Sequence, residues 1–317
     1  MFHIIGTGMY VPERIVTNDE LATMVDTNDE WIRQRVGIAE RRVSTEEWTS
    51  EMAHKAALAA LENANCKPED LDYIITATVS GETVSPSTAC MVQKLLGATC
   101  PAMELNAACS AFLFLLETAA GLFARKKANK ILVVGAERLS GIMDWSDRGT
   151  CIIFGDGAGA AVLSNDEDGY LDSVVTVQGN DEVIKIPTAI GCSPFFTKEA
   201  DSPYIHMMGQ ETFKYAVSSI CNDVNTLLTR NNLTLDDISY IVPHQANKRI
   251  IDFAAKRLKT SEDKFFLNIE RYGNTSSASI PIALDELNRA GKLKRGDHII
   301  LTAFGGGLAN AACLIRW

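Results

Sequence analysis

No stretch of this chain approaches the roughly 20 apolar residues that a membrane-spanning helix requires. Its first residues carry neither the basic flank nor the small-residue cleavage site of a secretory signal. Eight cysteines, at positions 66, 90, 100, 109, 151, 192, 221 and 313, include no close pair with metal-ligand spacing. They read as reduced thiols of a cytoplasmic protein, and no metal is expected. Positive charge is also short. Against 40 Asp and Glu stand 30 Lys and Arg, and the net charge of -10 argues against general nucleic-acid binding. Complete phosphate-binding glycine loops are missing too. Gly6 and Gly8 open such a motif, but Val11 occupies the third glycine position, and Gly155-Asp156-Gly157-Ala158-Gly159 lies between two strand-like runs.

What is present is a chain of 317 residues with ordinary apolar and charged content, longer than one typical core supports. It repeats itself. Residues 70–75 match 237–242 at an offset of 167, and residues 131–136 match 299–304 at an offset of 168. In each half an amphipathic helix is predicted ahead of the first strand, over 51–65 and over 209–230. Each half closes on a small-residue strand, 158–163 and 310–315. The repeat divides the chain into residues 1–168 and 169–317. Apolar strands alternating with helices predict an α/β fold with a mostly parallel sheet covered on both faces.

Ligands collect beyond the carboxyl ends of such strands, which directs attention to three residues. Cys109 follows a short strand-like run, sits among small neighbours and precedes a long apolar helix. A helix N-terminus favours the thiolate over the thiol. His244 follows a β-branched strand, leads into polar Gln245 and Asn247, and ends the second half's copy of a central strand; of the other four histidines, His206 stays open as a candidate. Asn274 lies in Gly273-Asn274-Thr275-Ser276-Ser277, where adding the smaller offset to Cys109 lands on Ser276. A thiol, an imidazole and a carboxamide at strand-to-loop junctions suggest covalent acyl chemistry. Gly305-Gly306-Gly307 allows either a flexible turn or backbone N–H groups aimed at an oxyanion.

Ala108-Cys109-Ser110-Ala111-Phe112, His244-Gln245-Ala246-Asn247, Gly273-Asn274-Thr275-Ser276-Ser277-Ala278-Ser279 and Phe304-Gly305-Gly306-Gly307 resemble β-ketoacyl-acyl-carrier-protein synthase III. Thr27-Asn28-Asp29-Glu30-Trp31, Asp147-Arg148-Gly149-Thr150 and residues 154–161 extend the resemblance over nearly the whole chain. It implies a thiolase-like fold of two duplicated βαβαβ-type halves, stacked as a five-layer α-β-α-β-α architecture and usually a homodimer. It implies an acyltransferase that loads Cys109 from acyl-CoA and condenses the acyl group with malonyl-acyl carrier protein, initiating fatty acid synthesis. His244 and Asn274 would donate hydrogen bonds to the enolate oxygen, and the N–H groups of Cys109 and Gly306 would form the oxyanion hole. Coenzyme A would be a substrate carrier rather than a cofactor. Trp31 and Arg148 would sandwich its adenine, Arg35 and Arg249 meet its phosphates, Asn247 its pantetheine arm, and Thr27, Gly209 and Phe213 its tunnel mouth. Lys248, Arg249, Lys256, Arg257 and Lys259 form either a docking patch for the acidic carrier or a solvated helix face.

The chain departs from the family pattern in two places. Val84-Ser85 stand where an aromatic residue often lines the partner's acyl pocket, and Leu308 follows the glycine loop in place of Phe-Thr-Trp-Gly. Both departures predict a starter larger than acetyl. Three rivals remain. A thiolase needs a second cysteine beside the glycine loop, and Cys313 comes too late. A secondary-metabolite ketosynthase or acyltransferase could keep all three residues, and a silent acyl-CoA-binding protein would form no acyl-cysteine.

Overall fold

The computed structural model describes residues 1–187, 195 and 202–317, so Cys192 lies outside the described residues. Two sheets carry the architecture. The first contains β1 (His3–Tyr10), β2 (Tyr73–Ala77), β3 (Ala102–Leu105), β4 (Lys130–Glu137) and β5 (Gly157–Ser164), in the order β1-β5-β4-β2-β3. The second contains β6 (Tyr170–Asn180), β7 (Ile238–Pro243), β8 (His298–Gly305) and β9 (Gly307–Arg316), in the order β7-β8-β9-β6. The order is the same in both once β2 is matched to β7, β4 to β8, β5 to β9 and β1 to β6. The second half's counterpart of β3 is reduced to one parallel bridge between Ile241 and Phe265.

Neither sheet is mostly parallel, which corrects the sequence reading. β2 runs parallel to β3 and β4, and β7 parallel to β8, but β1, β5, β6 and β9 pair antiparallel with their neighbours. Strand direction is set by the connections, and an apolar pattern buried on both faces is blind to it.

Besides α1 (Asp29–Val36), which packs in a cluster of its own, six helices build the layers: α2 (Thr49–Asn63), α3 (Thr88–Leu96), α4 (Ala111–Ala124), α5 (Gly209–Asn231), α6 (Lys248–Leu258) and α7 (Ser279–Arg289). Their burial follows strand parity. Ile131 and Val133 of β4 face α4 and α7, while Leu132 and Val134 face α2. In β8, Ile299 and Leu301 join the same central cluster as α4 and α7, whereas Ile300 faces α5 and α6. The result is five layers: α2 and α3, a sheet, α4 and α7, a sheet, then α5 and α6. Both middle helices touch both sheets; α4 is apolar nearly all round, whereas α7 also carries Asp285, Glu286, Asn288 and Arg289. No helix among the described residues is long and apolar enough to cross a membrane.

Each middle helix begins at a sharp turn. Ala108 and Ser276 both adopt φ of 48°, and each opens one 3₁₀ turn, Ala108–Ser110 and Ser276–Ala278, that runs into α4 or α7. Cys109 is therefore matched to Ser277 and not to Ser276. The two turns are packed against each other at the centre of the molecule.

Candidate active site

The first turn lifts Cys109 out of the sheet and the glycine loop closes beneath it. A Cβ placed on Gly305 would stand 2.8 Å from the Cys109 nitrogen, so only glycine permits this approach. The Ser110 hydroxyl donates to the Ala309 carbonyl at 3.0 Å and ties the same turn to β9. Burial pushes the Cys109 thiol up to about 11. Dehydration thus works against the pull of the helix N-terminus toward the thiolate.

His244 extends β7, with its N–H donating to the Thr302 carbonyl at 2.8 Å. Its ring is 2% exposed, lies edge-on to Phe304 with centroids 5.4 Å apart, and has Nδ1 2.7 Å from the Ser279 hydroxyl. The Gln245 N–H donates to that same oxygen at 3.4 Å; in the tautomer where the Ser279 hydroxyl in turn donates to Nδ1, the ring proton sits on Nε2. Burial pushes the His244 pKa down to about 3, so the imidazole stays neutral and serves as an N–H donor.

Asn274 is fixed by backbone pairing on both sides. Its N–H donates to Ile153 and its carbonyl accepts from Gly155, each at 2.9 Å. Its Oδ1 accepts from the Ser276 N–H at 2.8 Å, which leaves Nδ2 as the available donor. Cys109, His244 and Asn274 all line one cleft of about 800 Å³, otherwise walled mainly by apolar side chains such as Leu139, Phe154, Ile205 and Phe304. A thiol and two neutral N–H donors thus face one apolar space. That set suits an acyl-thioester intermediate and a developing enolate.

Two family models for 3-oxoacyl-[acyl-carrier-protein] synthase III match the chain, one over residues 103–179 and its C-terminal model over residues 228–317. The β-ketoacyl-[acyl-carrier-protein] synthase III of Clostridium acetobutylicum is 48% identical over 99% of this chain and 98% of its own length. This chain belongs to that family. The synthase III of Clostridium beijerinckii is 49% identical over the same shares. The crystal structure of the synthase III from Aquifex aeolicus superposes with a TM-score of 0.94 at 44% identity, covering all of both chains. Synthase III proteins are condensing acyltransferases with the thiolase fold, and both descriptions hold for this chain.

The remaining residues read from the sequence fall into three groups. Gly209, Phe213 and Asn247 line the cleft, and Arg249 covers the Phe213 ring at 5.8 Å. Trp31, Arg35 and Arg148 form a stack of their own outside the lining, with the guanidinium groups 5.5 and 4.8 Å from the Trp31 ring centroid. The Thr27 hydroxyl beside them is buried and without a partner. Gly306 sits against Ala108 and Ile184, next to the turn that carries Cys109.

The acyl-pocket residues do not reach this cleft. Val84 is 87% exposed, Ser85 is exposed, and Leu308 is buried within β9 at 8%. Lys248 is partly neutralised, bonded to Asp252 at 2.7 Å with Glu262 at 3.8 Å, whereas Arg249, Lys256, Arg257 and Lys259 are exposed. Sequence reasoning missed Ser279, which passed as a turn residue, and Phe253, an aromatic ring 50% exposed on the basic face of α6. It also missed Glu137, whose one sequence signal is an acid closing an otherwise apolar strand end.

Proposed function

We propose that this chain transfers an acyl group from acyl-CoA to Cys109 and condenses it with malonyl-acyl carrier protein, giving a β-ketoacyl-acyl carrier protein. The observation that carries this is the convergence of Cys109, His244 and Asn274 on one apolar cleft that extends to Gly209, Phe213 and Asn247. In the first step the Cys109 sulfur attacks the thioester carbonyl and the coenzyme A thiolate leaves, with the Cys109 and Gly306 N–H groups holding the oxyanion. In the second, malonyl loses carbon dioxide. The enolate oxygen is held by His244 Nε2–H and Asn274 Nδ2–H while the enolate carbon attacks the acyl-cysteine. A neutral imidazole suits this task because it donates without surrendering its proton. Coenzyme A is the carrier of the substrate, and the steps use no metal or organic prosthetic group.

The coenzyme would enter past Phe213, with Trp31 and Arg148 opening to take the adenine between them and Arg35 and Arg249 on its phosphates. A second copy would pair along the free edge of β3, whose side chains are half-buried, near the exposed Val84 loop. Small Val84 and Ser85 favour a starter larger than acetyl.

Intact-protein mass spectrometry with a panel of acyl-CoAs, on wild type and Cys109→Ala, tests the whole reading. Acylation that needs Cys109 and discharges into a β-ketoacyl carrier after malonyl-carrier addition is expected. Acylation that persists would point to another acceptor and a secondary-metabolic role, and no acylation would sink Cys109 as nucleophile. Acetyl-CoA outpacing every longer or branched starter would overturn the preference for bulk.

A further inference from the structure

Arg41 is the largest fully buried side chain among the described residues, at 0% exposure, and no step of the condensation uses it. It lies in a short antiparallel ribbon of Ile15–Thr17 and Glu40–Arg42, paired with Val16. The acceptors of its guanidinium are neutral oxygens. Nη1 donates to the Val16 carbonyl at 3.2 Å and to Asn18 Oδ1 at 2.8 Å, and Nη2 donates to the Ile152 carbonyl at 2.7 Å. Nε is buried without a partner. A carboxylate enters only one bond further on, where Asn18 Nδ2 donates to Asp29 Oδ1 at 2.8 Å. That carboxylate is already held by Arg33 Nε at 2.8 and 2.9 Å. Burial pulls the Arg41 pKa down to about 10, which leaves the group charged at neutral pH. A guanidinium taken out of water and bonded to neutral oxygens alone is destabilising beside an apolar side chain of similar volume. Packing does not account for it.

The bond to Ile152 does. Ile152 opens the stretch 152–155, against which the Asn274 backbone is laid. The Ile153 carbonyl accepts from the Asn274 N–H and the Gly155 N–H donates to the Asn274 carbonyl, each at 2.9 Å. Phe154 and Asn274 thereby bridge as parallel strands. With Asn274 Oδ1 fixed on the Ser276 N–H at 2.8 Å, a shift of this backbone shifts Nδ2. Arg41 grips the residue next to the one that receives the Asn274 N–H. Its stem also underlies the two glycines of the pairing. A Cβ placed on Gly155 would lie 3.2 Å from the Arg41 Cβ, and one placed on Gly273 would lie 3.4 Å from it. The backbone on either side of Arg41 is clamped to the same two segments. The Arg42 carbonyl accepts from the Asp156 N–H at 2.8 Å, and the Ala39 N–H donates to the Glu270 carbonyl at 2.9 Å.

Arginine is suited to this place by its shape. The planar fork spans Val16 and Asn18 with one nitrogen and Ile152 with the other, joining two remote parts of the chain. A lysine offers one ammonium and cannot fill both positions. The other two residues of the site are held elsewhere. His244 is fixed by Ser279 and by the Thr302 carbonyl, and the Cys109 turn by Gly305 and the Ala309 carbonyl. A fault at Arg41 therefore reaches Asn274 first.

We propose that Arg41 is a positioning residue for the condensation step, its guanidinium fixing residues 152–155 and thereby aiming the Asn274 amide at the enolate oxygen. The proposal rests on the role given to Asn274 above. Arg41 touches no substrate in this scheme and moves no proton. Loading of Cys109 uses the N–H groups of Cys109 and Gly306 and not Asn274, so the two half-reactions should part company when Arg41 is changed.

The test is to time the two half-reactions separately in wild type, Arg41→Lys, Arg41→Met, Asn274→Ala and the double variant Arg41→Lys with Asn274→Ala. Rapid quench and intact mass give the rate of Cys109 acylation by acyl-CoA, and then the rate at which malonyl-acyl carrier protein discharges the acyl-enzyme. Arg41→Lys should load within about twofold of wild type and condense about a hundredfold more slowly, the scale of an ångström's misplacement. Arg41→Met should show the same split, and Arg41→Lys, which keeps the charge, carries the test if Arg41→Met fails to fold. The double variant should condense no more slowly than Asn274→Ala, because Arg41 acts through that side chain. Equal slowing of both half-reactions, wild-type condensation by Arg41→Lys, or losses that multiply in the double variant would each overturn the proposal alone. Wild-type condensation by Asn274→Ala would sink the role of Asn274 and this proposal with it. A wild-type protein that forms no adduct would sink the acyl-transfer reading as well.

Discussion

Gly305 and Cys109 touch through their backbones: a Cβ on Gly305 would lie 2.8 Å from the Cys109 nitrogen and 3.1 Å from its Cβ. The glycine loop is thus the floor of the turn that carries Cys109. Gly305→Ala should cost about 1–3 kcal/mol of stability through overpacking. Acylation should fall by about a hundredfold, since an ångström of misplacement suffices for that. Thermal melts paired with rapid-quench acylation would check both. A variant that melts lower yet acylates at the wild-type rate would show that this contact does not position the sulfur.

Trp31 and Arg148 are already stacked, 4.8 Å from guanidinium carbon to ring centroid, with Arg148 also donating to the Asp26 carbonyl at 2.6 Å. An adenine entering between them replaces one stacking contact by two. Trp31→Ala or Arg148→Ala should raise KM for acyl-CoA about tenfold, a loss of about 1.4 kcal/mol, with kcat little changed. With an acyl-pantetheine thioester, which has no adenine, wild type and variants should behave alike. Equal losses with both substrates would place the stack's role in folding instead.

The sequence legible here is the part written locally. Repeated strands at two close offsets announced a duplicated fold, and strand-end positions picked out Cys109, His244 and Asn274. Burial was not legible. The dehydration that raises the Cys109 pKa is imposed by residues from both halves, and a helix start read along the chain does not show it. Ser279 and Glu137 escaped notice because their partners are remote: Ser279 lies 35 residues from His244, and Glu137 lies 140 from Ser277. In the chain each has the look of turn or strand-end chemistry. Only the packed turns bring each to its partner.

Two buried groups should bend the stability curve in opposite directions in acid. His244 in the folded protein refuses a proton until about pH 3, whereas the unfolded chain binds it near 6.5. Its depressed pKa therefore contributes stability above 6.5 that is lost as pH falls towards 3. Asp223 is pushed up to about 6 by burial, against an ordinary 3.8, so its contribution rises as pH falls between those values. In urea unfolding across this range, His244→Asn should flatten the acid decline and Asp223→Asn should steepen it. Superimposable profiles would mean that neither group titrates with folding.

The exposed face of α6 should act on the carrier and not on the loading step. Arg249, Phe253, Lys256 and Arg257 are all exposed there, and Phe253 meets Phe213 of the cleft edge-on at 5.3 Å. Lys248 is already held by Asp252 and Glu262, so it has less charge to offer. A basic patch on a chain of net charge -10 gives local complementarity to an acidic partner, felt mainly in association. Lys256→Glu combined with Arg257→Glu should raise KM for malonyl-acyl carrier protein by at least about tenfold at low salt, with the gap narrowing as salt screens both proteins. Phe253→Ala should weaken the same step by an amount that salt does not change, because the contact it removes is apolar. Acylation of Cys109 by acyl-CoA, measured on the same preparations, should stay at the wild-type rate. If the charge reversals slow loading and condensation equally, the face serves the coenzyme or the fold, and the carrier docks elsewhere.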